Sequence, residues 1–400
     1  MAALFSFLLA TLACLLGIPV ALLLFEVVAA IVLPARKYSQ RSIQGPRPRV
    51  AVIIPAHNES VGLLPTVEDV KKQLRVGDRL LVVADNCTDD TAVVASTAGA
   101  ELIERVEPTK TGKGYALDFG LNHLSLDPPT IVIFIDADCR ITEGTIGQLA
   151  TVCSTTQRPV QALDLMTALD KAPINFRVAE FAWRLKNWVR PLGLGALSLP
   201  CQLMGTGMAF PWTVIRSANL ATGSLVEDLK LGLDLTRLGS PPLFCPSASV
   251  ISHFPSSVEG ATSQRKRWEG GHIGMILTTV PRFLYQSFAL RNLGLFALTL
   301  DMAIPPLSVL VILLAAMFSI GGLAVLFGLS FAALVISAIC IMALVVTLFL
   351  SWWNFGRDLL PPRAFFSVAA FFFAKLPIYY DLLFGTTIRQ WKRTDRKKNV

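Results

Sequence analysis

The hydrophobic positions fall into three regimes along the chain. Residues 4–33 are apolar almost without interruption, Glu26 being the single charge. About 20 apolar residues cross a bilayer core, so this stretch predicts a membrane-spanning helix within residues 1–35. Residues 302–356 contain no Asp, Glu, Lys or Arg. That length predicts two crossings over 302–352, turning near Gly321–Gly322 or near 328–330. Between these ends, short apolar runs alternate with amphipathic ones. "RVAVIIPA" (49–56), "RLLVVAD" (79–85), "ELIERV" (101–106) and "TIVIFIDADC" (130–139) predict four strands. A helix is expected to begin near Ser60, another to be capped by Thr88 or Asp89, and a third to open at "KGYALDFGLNHL". Strands alternating with helices imply an α/β layer with a mostly parallel sheet. Strands so uniformly apolar are buried on both faces.

Composition sharpens this picture. At 53% hydrophobic and 16% charged, the chain is too apolar for an ordinary soluble enzyme. A cleaved signal peptide is disfavoured, because the first apolar run is long and no basic segment precedes it. Basic residues follow it instead (Arg36, Lys37, Arg41, Arg47, Arg49), which predicts a cytoplasmic central domain. The net charge of +8 and the basic tail 389–400 suit an anionic lipid leaflet. Nucleic acid is not expected, since no binding motif accompanies the charge. Seven scattered cysteines and four unclustered histidines give neither a disulfide framework nor a zinc site. Residues 276–301 read as an interfacial helix region. The segment 364–388 carries Lys375, Pro377 and Asp381, and an interfacial or re-entrant form is expected there, with spanning the alternative. The expected localisation is an integral, multi-pass protein of a bacterial inner membrane.

The candidate chemistry lies where the strands stop. Glu59, Asp85, Asp136 and Asp138 follow successive strands, and acids converging on one rim repel unless something positive sits among them. Asp136 and Asp138 are two apart, and face one side wherever strand geometry persists. A hard divalent cation carrying phosphates would reconcile the pair. Neither G-x-G-x-x-G nor G-x-x-x-x-G-K-[ST] is present, which excludes the usual dinucleotide and P-loop sites. Farther on, "AEFAWRLKNWVRPLGLGALSL" (179–199) reads as an interfacial helix with snorkelling basic residues, or as an amphipathic core helix. "LMGTGMAFPW" (203–212) is a glycine turn that lets a ligand approach backbone. "SLVEDLKLGLDLTRLG" (224–239) sets Glu227 and Asp228 in a first helical turn, where dipole capping alone would also explain them. "TSQRKRWEGGH" (262–272) groups Gln264, Arg267 and Trp268.

In this order, Asp85, D-A-D, G-T-G, E-D and Q-R-K-R-W resemble the membrane-integrated family 2 glycosyltransferases, which include cellulose, hyaluronan and poly-N-acetylglucosamine synthases. The resemblance covers roughly residues 49–275. It implies a Rossmann-like GT-A domain, over 48–275, set between transmembrane helices. It further implies an inverting transfer from a nucleotide-sugar, a UDP-sugar above all, to a polysaccharide or lipid at the cytoplasmic face. A single-addition glycolipid synthase of the ceramide glucosyltransferase kind and a non-catalytic scaffold are the alternatives. By the same resemblance, Pro55, Ala56, Glu59, Asp85, Lys113, Asp136 and Arg267 would bind the nucleotide-sugar. Asp138 would hold Mg²⁺ or Mn²⁺, and Asp228 would be the general base. Gly205, Thr206, Glu227, Gln264 and Trp268 would meet the acceptor. Val226 stands where the family pattern has Thr, which removes a hydroxyl near the acceptor. Three crossings are few for a wide channel, so polymer export would call for a second copy or a partner subunit.

Overall fold

A computed structural model describes residues 1–34, 47–169, 172–221, 226–255 and 258–362. The expectations for Arg36, Lys37 and Arg41, the segment 364–388 and the basic tail lie outside the described residues. The central domain is built on an eight-stranded sheet in the order β3-β2-β1-β4-β7-β6-β8-β5. Its first half is the expected parallel layer of β1 (Val50–Ala56), β2 (Arg79–Asp85), β3 (Glu101–Arg105) and β4 (Ile131–Phe134). The second half is mixed. β7 (Met208–Pro211) runs antiparallel to both β4 and β6 (Val160–Thr167), and β8 (Leu243–His253) runs parallel to β6 and antiparallel to β5 (Arg140–Ile141).

Period-2 alternation sends each strand's side chains to two cores. Val50, Val52 and Ile54 pack against Leu63, Val67 and Val70 of α2 (Leu63–Lys71) and Ile146 and Leu149 of α5 (Thr145–Thr156). Ala51 and Ile53 face the other way, onto Ala116, Leu117 and Leu121 of α4 (Lys113–Leu124) and Leu231 and Leu235 of α9 (Glu227–Arg237). α3 (Thr91–Thr97) begins after Asp90, and Asp89 Oδ1 accepts the Thr91 backbone N–H at 3.0 Å, so Asp89 serves that helix end.

Among the described residues three helices are long and apolar enough to cross a membrane: α1 (Ala2–Val32), α13 (Leu307–Leu326) and α14 (Ala332–Phe355). The turn between the last two falls at 327–331, the second of the two expected places. Gly321 lets α13 approach α14 closely, since an added Cβ would lie 2.9 Å from Leu334 backbone. Side chains of α1, α13 and α14 share one core with Leu185 and Val189 of the central domain.

The stretch 179–199 departs from the interfacial expectation. It forms α6 (Ile174–Arg184), a π-helical turn (Leu185–Val189) and α7 (Arg190–Ala196), wedged between the sheet and α1. Its basic residues point inward. Arg190 pairs with Glu26 of α1 and with Asp301 of α12 (Leu293–Met302). Arg47 and Arg49 likewise belong to the domain edge, where they pair with Asp78 and Asp127. Beyond the sheet, α10 (Val258–Thr278) carries the Q-R-K-R-W stretch and α11 (Val280–Ala289) leads to α12. Tyr285, Phe288 and Leu290 are exposed at this end.

Candidate active site

The carboxyl ends of β1, β2 and β4 open into a cavity of about 430 Å³. All fourteen site residues expected from the sequence line it, contributed by seven separate stretches of chain. β4 ends at Phe134, so Asp136 and Asp138 sit in the turn after the strand rather than on it. Both still reach the cavity, because Thr206 Oγ1 accepts the Asp136 backbone N–H at 3.0 Å and fixes that turn against the glycine loop.

The donor end is organised by charge. Lys113, at the first position of α4, pairs with the Asp136 carboxylate and donates to the Gly205 carbonyl at 2.9 Å. Burial opposes its charge, but Asp136 and Glu227 hold the ammonium above its ordinary pKa. Asp85 is 6% exposed and bound by Arg105 at 2.5 Å. Burial nonetheless raises its pKa. His57 Nδ1 lies 2.7 Å from the Asp85 carbonyl oxygen. Glu59 and Asp138 converge at Gly62, where an added Cβ would lie 3.4 Å from Glu59 Oε2 and 3.5 Å from Asp138 Cβ.

The opposite wall belongs to α9 and α10. Glu227 and Asp228 open α9, where its dipole favours negative charge. Burial and the neighbouring Asp228 push Glu227 up to about 7, and burial raises Asp228 against the pull of Lys113 and Lys186. Gly205 has φ +93°, which a side chain resists, and a Cβ there would come 3.4 Å from Asp228 Oδ2. Gly207 of the same loop serves packing, for a Cβ there would strike Val250 and Ala162. Burial lowers the pKa of Arg267, opposed by Glu227 and Asp136. Trp268 packs against Trp183 with ring centroids 5.1 Å apart and the planes inclined at 41°.

Several cavity residues were not singled out from the sequence. Asp164, on β6, is 2% exposed, and burial together with Asp136 pushes its pKa up to about 8. Lys186, Asn187 and Arg190 enter from the π-helical turn and α7, and Gln202 and His272 from neighbouring segments. The signal available was a lone acid in the apolar run "VQALDLMT". The far wall is apolar and belongs to the membrane helices and their approach: Leu23, Ile304, Pro306, Leu307 and Leu310.

A divalent cation fits the residues present. Among the described residues no three His, Cys, Asp or Glu gather as a metal site. A cation here would therefore take Asp138 and substrate oxygens, the arrangement in which Mg²⁺ uses one or two carboxylates plus phosphates.

The sequence is 25% identical over 260 residues to "Probable glycosyltransferase YdaM" of Bacillus subtilis (strain 168), covering 61% of this chain and 59% of that protein. It is 36% identical over 121 residues to "Uncharacterized glycosyltransferase Rv0539" of Mycobacterium tuberculosis, covering 28% of this chain and 51% of that one. The matches thus span between half and three fifths of these relatives. A similar solved structure is the mannosyltransferase PcManGT from Pyrobaculum calidifontis in complex with GDP-Man and Mn²⁺. Its TM-score is 0.55 at 18% identity, with 94% of this chain and 99% of that chain covered, a likeness of fold. The family model described as "Glycosyltransferase like family 2" matches residues 46–271, more than half of the 400 residues. The chain belongs to that family.

Proposed function

We propose that the protein moves a sugar from a nucleotide-sugar, with UDP-sugar the expected donor, to a hydroxyl on a membrane-borne acceptor at the cytoplasmic face. One observation carries this reading: a single cavity runs from the strand-end acids, past Glu227 and Asp228, to the apolar side chains of α1 and α13. A donor entering from water and an acceptor entering from the bilayer would meet in it. PcManGT, the solved likeness, holds GDP-Man and Mn²⁺, and this chain is proposed to use a donor of the same chemical kind with Mg²⁺ or Mn²⁺.

Each side chain then has a task. Pro55, Ala56, Glu59 and Asp85 border the nucleotide. Lys113, with Arg267 facing it across the cavity, neutralises the diphosphate as the glycosidic bond breaks, a charge that preorganised donors stabilise well. The cation beside Asp138 would supply Lewis-acid stabilisation of that leaving group. Asp228 takes the proton from the acceptor hydroxyl as it attacks, the role a positioned carboxylate performs in general-base catalysis. One base on the acceptor side, with no carboxylate assigned as nucleophile, gives a single displacement with inversion. Trp268 offers an aromatic face to the acceptor.

The apolar wall favours an acceptor held in the bilayer over one dissolved in water, so single addition to a lipid stands beside polymer extension. A screen of nucleotide-sugars with the purified chain in lipid nanodiscs, with mass analysis of the product, tests the proposal. A defined glycosylated lipid or a ladder of oligomers supports it. Donors left intact by the purified chain under every metal tried would overturn it.

A further inference from the structure

The membrane end of the cavity holds a polar cluster that donor binding and proton transfer do not use. Trp183, Lys186, Asn187 and Arg190 are spaced i, i+3, i+4, i+7 and all line the cavity. The π-helical turn that carries two of them interrupts an otherwise regular helix, and such turns concentrate at functional sites. β6 clamps this face twice. Asn187 Nδ2 donates to Asp164 Oδ2 at 2.9 Å, and Trp183 Nε1 donates to the Asp164 carbonyl at 3.1 Å. The Lys186 ammonium lies 5.8 Å from the Trp183 ring centroid. Among the described residues it has no carboxylate within salt-bridge distance, so Asp164 and Lys186 do not simply cancel each other.

We propose that Asp164, Asn187 and Lys186, with the adjoining Trp183–Trp268 pair, form an acceptor subsite for an uncharged hydroxylated ring. The proposal rests on the transferase reading above and deepens it. An aromatic platform takes the apolar face of a sugar ring, while a carboxyl and an ammonium at its edge take hydroxyls as donor and acceptor. Charge selects among head groups. Arg190 is already held by Glu26 and Asp301, and Asn187 is bonded to Asp164, so this cluster offers an anionic head Lys186 alone. A cationic head would compete with Lys186 for the Trp183 face. The acceptor is therefore a glycosyl head rather than a phosphate, a choline or a bare alcohol.

The test uses the full chain in nanodiscs with the donor found active in the screen. Methyl β-D-glucopyranoside serves as the ring probe and 1,2-dioctanoylglycerol as the ringless alcohol. The expected result is preferential transfer to the glucoside. Asp164→Ala, which removes the hydrogen-bonding carboxyl, should raise the KM for the glucoside at least tenfold, and Lys186→Met should do the same, with the donor KM shifting much less. Donor hydrolysis without transfer to the glucoside by the natural sequence overturns the subsite while leaving the transferase reading intact. So does an unchanged glucoside KM in both variants, or equal use of both probes. Where no donor is consumed at all, the transferase reading fails first. The subsite is then read by binding alone, and a lack of tryptophan fluorescence change on titrating the glucoside overturns it as well.

Discussion

Replacing Arg190 by Met should lower the unfolding midpoint of the protein by about 4–6 °C. Arg190 is 5% exposed, Glu26 2% and Asp301 4%. The guanidinium Nε donates to Glu26 Oε2 at 2.9 Å, while Nη2 donates to the Asp301 carboxylate and, at 2.6 Å, to its carbonyl. Gln202 Nε2 still reaches Asp301 Oδ2 at 2.7 Å without the arginine, so the loss falls mainly on Glu26, inside an apolar helix. Removing one partner of a buried ion pair costs about 3–5 kcal/mol, because the remaining charge stays desolvated. An unfolding entropy of about 2.1 cal/mol/K per residue gives ~0.84 kcal/mol/K for a chain this long, hence the stated shift. Differential scanning fluorimetry in nanodiscs reads it. The triple change Arg190→Met, Glu26→Gln and Asp301→Asn strands no charge and should recover most of the loss, since buried ion clusters are replaceable when every member goes. A single variant melting within 1 °C of the unaltered protein would refute the argument. So would a triple variant less stable than the single one.

Asp138→Asn should abolish metal-stimulated transfer while the protein still inserts and melts normally, read by turnover against Mn²⁺ concentration; undiminished turnover removes the metal assignment. Asp228→Asn should retain donor binding and lose about 10²–10⁴ in kcat, the range for a general base. The pH profile follows from the raised pKa values of Glu227, at about 7, and Asp228. A base must be ionised, so kcat should fall as pH drops, and the fall should begin above the ordinary aspartate range. Lys186→Met removes a cation that holds Asp228 down and should move that acid limb to higher pH; an unmoved limb argues against Asp228 as the base. Asp164, at about 8 when folded against an ordinary 3.8, keeps in the folded state a proton that the unfolded chain releases. Its contribution is therefore favourable at low pH and lost as pH rises toward 8. Asp164→Asn should then melt at or above the unaltered protein at pH 8, and a lower midpoint there counts against a buried, uncompensated acid.

The parallel half of the sheet was legible because burial on both faces leaves an unbroken apolar signature in β1, β2 and β4. The site was legible for a related reason: acids at strand ends have no structural advantage, so Glu59, Asp85, Asp136 and Asp138 stand out against their apolar runs. The antiparallel half was harder. β7 is four residues long and β5 two, too short for any periodicity to declare itself. The stretch 179–199 misled because interleaved Trp and Arg suit either a lipid interface or a buried ion network. Only the position of Glu26, far away in sequence, decides between them. Asp164 escaped notice because one acid in a strand carries no spacing.

Glu26 connects these points. An acid in a membrane-length helix is costly and marks a functional contact by default. Its partner here is not lipid or solvent but Arg190, on the helix that also presents Trp183, Lys186 and Asn187 to the cavity. Gly193, one turn beyond Arg190, has no room for a Cβ against the Glu26 backbone, so α7 and α1 touch main chain to main chain. Leu23, three residues before Glu26, is itself part of the cavity wall. The first helix therefore does more than anchor the domain. The ion pair ties it to the helix that presents Lys186 and Asn187, which holds the apolar wall at Leu23 against the cavity. On the proposed reading a membrane-borne hydroxyl would pass that wall to reach Asp228, and a charge near the end of so apolar a run serves to keep the wall in place.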